Sequence, residues 1–142
     1  MAQTSSAQNV PYVISLPNGI ELGGVVKIRG TVPENADRFH VDLVCSMGQD
    51  PDIALHFNPR FNENKVIFNS RKSGSWGTEE FGHNFPFRYG QAFEVLIITD
   101  QEGFKVIIGD QKYHHFCYRI PLSEVCGLEV SGDVMLELVN VV

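Results

Sequence analysis

An all-β domain, a sandwich of two packed antiparallel sheets, is the fold class that this sequence predicts. Three observations lead there. Apolar and polar residues alternate with period two in short runs that recur every eight to twelve residues, turn residues separate the runs, and no long segment carries the 3.6-residue period of an amphipathic helix. The chain has 142 residues and a mass of 15.9 kDa. That length suits one domain burying roughly two-thirds of its unfolded surface, with no room for a second.

From the N-terminus, the polar decapeptide 1–10, MAQTSSAQNV, offers no alternation and is expected to be flexible, which leaves 11–142 as the folded domain. Strands are expected near 12–16, 25–31, 38–46, 53–60, 65–70, 77–81, 92–99, 104–109, 112–118, 127–131 and 133–141. Between them stand Pro17-Asn18-Gly19, Pro33-Glu34-Asn35, Gln49-Asp50-Pro51-Asp52, Ser73-Gly74, Gln101-Glu102-Gly103, Gly109-Asp110 and Ser131-Gly132-Asp133, all residue types that favour turns. Gly23-Gly24 reads as a turn or bulge. Pro121 to Val125 is the one expected helical turn. So many short strands in about 130 residues must split between two sheets. Phe93, Val95 and Ile97, and near the C-terminus Met135, Leu138 and Val141, are expected to face the core.

Composition excludes several function classes. Hydrophobic residues at 43% are ordinary for a globular protein, and a net charge of −6 without a basic run disfavours nucleic acid and anionic membrane surfaces, both of which need clustered Lys and Arg. No apolar stretch approaches about 18 residues, so membrane insertion is not expected. The first ten residues lack the basic and apolar regions of a signal peptide, so synthesis in the cytoplasm is expected. Cys45, Cys117 and Cys126, an odd number at wide spacing, suit reduced thiols.

The chemistry concentrates in His56 to Glu79. On a strand through 55–61, alternation throws His56, Asn58 and Arg60 to one face and Leu55, Phe57 and Phe61 to the other. The next run puts Ile67 and Asn69 on one side and Val66 and Phe68 on the other. Trp76, the chain's single tryptophan, follows a Gly/Ser-rich turn, with Glu79 three residues on. An imidazole, two amides, a guanidinium, a carboxylate and an indole on one sheet face suit a neutral sugar. Its hydroxyls both donate and accept, so they match planar polar groups, and its C–H patch matches a flat ring. Galactose pools its C–H groups on one face because its 4-hydroxyl is axial.

The run His56-Phe57-Asn58-Pro59-Arg60, then Ile67-x-Asn69, then Trp76-Gly77-x-Glu79 resembles the signature of the galectins, lectins specific for β-galactosides. The resemblance implies a jelly-roll sandwich and a carbohydrate-recognition site with neither metal nor cofactor. It further implies that His56, Asn58 and Arg60 bond the galactose 4-hydroxyl, that Asn69 and Glu79 bond the 6-hydroxyl, and that Trp76 stacks. Arg60 and Glu79 would reach the 3-hydroxyl of the following glucose or N-acetylglucosamine. Arg38, His40 and Asp42 alternate with Phe39, Val41 and Leu43 on the strand that the family sets beside His56, and would extend the groove. One departure stands out: Phe81 occupies the place, two residues after the Glu, where the family usually has an Arg. The resemblance makes glycans on glycoproteins or glycolipids the expected partners. It permits a homodimer through edge strands, and non-classical secretion.

Other chemistries are weaker. His114, His115 and Cys117 form one metal-like tract, but adjacent histidines on a strand point to opposite faces. A glycosidase needs two carboxylates about 5–10 Å apart. The motif supplies Glu79 alone, with Asp42 the candidate for the second. No nucleophile motif and no phosphate loop is present, so no catalytic residue is expected. A galectin-fold protein that has lost sugar binding would show gaps in the polar cluster, and Phe81 is the one gap.

Overall fold

The computed structural model describes residues 3–142, with the backbone alone described for 3–8. Thirteen strands are formed among these residues: β1 Gln3–Gln8, β2 Tyr12–Ser15, β3 Val25–Thr31, β4 Phe39–Val44, β5 Ile53–Arg60, β6 Lys65–Lys72, β7 Ser75–Trp76, β8 Glu80–Phe81, β9 Ala92–Thr99, β10 Gly103–Ile108, β11 Gln111–Cys117, β12 Gly127–Gly132 and β13 Met135–Val141. Pairing is antiparallel throughout. One sheet runs β1-β13-β3-β9-β10-β11. The other runs β2-β12-β4-β5-β6-β7, with β8 also against β6. The result is the jelly-roll sandwich expected. The sole helical element described is a 3-10 turn at Leu122–Glu124, where one turn was expected. No helix among the described residues is long and apolar enough to cross a membrane.

Three details differ from the sequence reading. Met1 and Ala2 of the expected flexible segment lie outside the described residues, whereas Gln3–Gln8 pairs with β13 as an edge strand. A polar segment held by backbone bonds on one side gives no alternation to read. The expected strand at 77–81 is two short pieces, because Ser73 and Gly74 (φ 52° and 80°) close a tight hairpin that brings Ser75 and Trp76 back against β6. Of the three residues near the C-terminus expected to face the core, Met135 is 53% exposed and Leu138 lies outside the core cluster, and Val141 alone is buried. An irregularity between Leu136 and Leu138 shifts the register of β13 against β3, so Leu136 faces in before it and Val139 and Val141 after it.

The core lies between the sheets, and it includes Leu55, Phe57, Val66, Phe68, Phe104, Phe116, Val95 and Ile97. Six phenyl rings cluster at one end. Phe39 stacks on Phe93 at 5.4 Å and meets Phe87 edge-on at 5.8 Å, and Phe57, Phe61 and Phe85 complete the group. Burying each such ring contributes about 1.5–3 kcal/mol. That anchorage of β4 and β5 from within fixes which side chains they present outward.

Candidate functional site

Strand alternation divides β5 as expected: Leu55 and Phe57 are fully buried in the core, and His56, Asn58 and Arg60 are directed to the outer face. Four strands are registered so that Glu129, Asp42, His56 and Asn69 stand directly opposite one another, in one row across β12, β4, β5 and β6. Beside this row lies a cleft of about 510 Å³, lined by Arg38, His40, His56, Asn58, Arg60, Ile67, Asn69, Trp76, Gly77 and Glu79. All six of the sugar-contacting residues expected from the motif meet there, as do Arg38 and His40.

Each polar group is held by a neighbour. His56 Nδ1 lies 2.6 Å from Asp42 Oδ1. A carboxylate only accepts, so Nδ1 carries the proton and Nε2 remains as the ring's second hydrogen-bonding position. Asp42 was expected in the extended groove. Instead it is 5% exposed, stands outside the cleft lining and braces His56 from the neighbouring strand.

Pro59 brings no N–H to the ladder, and the Asn58 amide donates to the Phe39 carbonyl at 2.8 Å. That bond orients Asn58 so that its Oδ1 accepts from Arg60 Nε at 2.9 Å. The Arg60 guanidinium then reaches Glu63 and Glu79, each at 3.7 Å, while Glu63 also meets Arg38 at 3.4 Å. The guanidinium is thereby fixed with donors to spare.

Asn69 Nδ2 donates to the Gly77 carbonyl at 3.0 Å, which leaves one amide hydrogen, and its Oδ1 accepts from the Ser70 N–H and from Arg119. Trp76 is 49% exposed, with its ring centroid 4.7 Å from that of His56 and the Arg71 guanidinium 5.9 Å from its face. Glu79 has Arg60 as the one cation in ion-pair range among the described residues. Arg71 instead faces Asp50. Phe81 is 54% exposed, paired with Ile67 on the cleft side, and has the Lys65 ammonium 5.7 Å from its ring.

Arg119 is the residue that sequence reasoning missed. It follows β11, 50 positions from Asn69, yet its guanidinium donates to Asn69 Oδ1 (2.9 Å), the Thr78 carbonyl (2.7 Å) and Glu80 Oε2 (3.0 Å). Glu80 Oε1 is bonded in turn to His114 at 2.8 Å. A side chain at Gly77 would come within 2.7 Å of that guanidinium, so glycine there admits the brace beneath the loop. No local motif marks Arg119, because its partners belong to strands whose neighbours sequence pattern does not specify.

The family model described as galactoside-binding lectin matches residues 11–141. Human galectin-7 is 55% identical over 133 residues, covering 94% of this chain and 98% of its own. Bovine galectin-4 is 43% identical over 132 residues, covering 92% of this chain and 40% of the longer relative. Among solved structures, a variant of human galectin-16 superposes with a TM-score of 0.89 at 32% identity, across 97% of this chain and 99% of that one. The galectin LEC-6 of Caenorhabditis elegans superposes at 0.88 with 25% identity, across 98% and 95%. Fold, cleft and sequence agree: the chain belongs to the galectins, the family of galactoside-binding lectins.

Proposed function

We propose that the cleft binds the galactose of lactose- and N-acetyllactosamine-type glycans. The observation that carries this reading is the convergence on one sheet face of His56, Asn58, Arg60, Asn69 and Glu79, each with a hydrogen-bonding position left over, around a half-exposed Trp76. His56, Asn58 and Arg60 meet the axial 4-hydroxyl, Asn69 and Glu79 meet the 6-hydroxyl, and the indole covers the C–H face. Because protein–protein bonds already hold these groups, little ordering is needed on binding. Each sugar bond displaces water and nets about 0.5–1.5 kcal/mol, so one cleft binds modestly and avidity requires several clefts presented together. Pairing of two copies would supply it, and sedimentation equilibrium measures that.

Arg38 and His40 carry the groove past the galactose 3-hydroxyl and set the preference among 3-substituted galactosides. A binding role is favoured over hydrolysis by the position of Asp42, the second carboxylate that a glycosidase would require. It is engaged by His56 and lies outside the cleft lining. Titration with lactose and with cellobiose, followed by Trp76 fluorescence, tests the reading. Binding of lactose alone is expected, and equal affinity for the two would sink it.

A further inference from the structure

Two carboxylates stand directly opposite each other at the end of the row, Asp42 on β4 and Glu129 on β12. Like charges at directly opposed positions on one sheet face destabilise the pair unless a cation lies between them. The group that lies there is His40: its Nε2 is 3.7 Å from Asp42 Oδ2 and 3.5 Å from Glu129 Oε1, and the three ligand atoms lie within 4.8 Å of one another. The Asp42 side chain is only 7% exposed. Its Oδ1 is taken by His56, and among the described residues its Oδ2 has no partner but the His40 nitrogen at 3.7 Å, beyond hydrogen-bond range.

We propose that His40, Asp42 and Glu129 form a site for a divalent transition-metal ion of the Zn2+ class. One imidazole nitrogen with two carboxylate oxygens is a donor set that Zn2+ accepts, and bonds of about 2.0–2.2 Å place ligand atoms roughly 3.3–3.6 Å apart on a tetrahedron. The two separations measured to His40 need little contraction to match it. Glu129 and Asp42 come from neighbouring strands of a rigid sheet, and His40 lies two residues from Asp42 on the same face, so the three donors are preorganised. His56 donates to the inner oxygen of Asp42, the kind of outer bond that orients a ligating carboxylate. A metal there would draw electron density from the carboxylate that braces His56, and so would change galactoside affinity. That coupling rests on the lectin reading, whereas metal binding does not.

The test is calorimetric titration of Zn2+ into the Cys117→Ser protein, which removes the exposed thiol near His115, and into the same protein carrying Glu129→Gln. Glu129 is outside the cleft lining, so lactose affinity without metal should be equal in both. The expected result is one Zn2+ bound in the first protein and affinity weakened in the second by more than the roughly 10- to 100-fold that losing an outer-shell partner costs. Co2+ should in parallel shift the His40 and His56 ring resonances in the first protein alone. Equal Zn2+ affinity in the two proteins, or Co2+ shifts that leave His40 untouched, would overturn the proposal. If the metal binds as expected while lactose affinity does not respond, the metal site stands and the coupling to His56 is wrong.

Discussion

The outer faces of the two sheets are built from the same alternation and end up chemically different. On the six-stranded sheet, Arg29 and Lys27 of β3 and Glu94 of β9 form a small surface cluster, with Arg29 to Glu94 at 2.8 Å and Lys27 to Glu94 at 3.6 Å. These charged groups are paired with one another. On the seven-stranded sheet the polar groups are planar, partly buried and braced by hydrogen bonds to Asp42, the Phe39 carbonyl and Arg119. The lesson is that polarity on a sheet face does not make a site. Support from neighbouring groups does, because it removes the rotor entropy that a ligand would otherwise have to overcome.

If support is what separates the faces, Arg119→Ala should have the largest effect. It removes charge-assisted bonds to Asn69, Thr78 and Glu80, and unfolding stability should fall by about 1.5–3 kcal/mol together with lactose affinity. Thermal denaturation and calorimetry check both, and unchanged lactose affinity would show the brace to be purely structural. Trp76→Ala should cost about tenfold in lactose affinity, roughly 1.4 kcal/mol, while the melting temperature barely moves, since the indole is half-exposed. A collapse of folding would reassign the ring to the core.

Phe81→Arg should act more weakly. A second cation would join Arg60 at Glu79 and contact the second sugar, but at an exposed position such a pair is worth only about 0.2–1 kcal/mol. N-acetyllactosamine should gain a few-fold over lactose, and glycan-array profiles of the two proteins would record no difference if Phe81 is immaterial.

The smallest effect is expected on the opposite sheet. The Arg29 hydrogen bond, aided by Lys27, holds the Glu94 carboxyl below its ordinary pKa. A depressed pKa in the folded state contributes stability above the unfolded value and loses it as pH falls through the folded one. Arg29→Ala should therefore cost at most about 1 kcal/mol near neutrality and less in acid or in high salt, without touching lactose binding. A lactose effect from Arg29 would erase the distinction between the faces.

Much of this was legible in the residues. Alternation placed His56, Asn58 and Arg60 opposite Leu55 and Phe57, and the stretches read as turns hold the left-handed residues Gly19, Asn35, Ser73 and Gly109. These are local properties, set by period-two geometry and by the φ each residue tolerates, and a linear chain carries them in full. What the tertiary structure alone decided is partnership. Asp42 bonded to His56, Arg119 bonded to Asn69 and Glu129 opposite Asp42 lie 14, 50 and 87 positions apart, and strand order across a sandwich determines those meetings. Alternation says which face a side chain occupies but is silent on which strand lies alongside. For that reason the sequence identified the groups that line the cleft, and only the packed sheets revealed the groups that hold them in place.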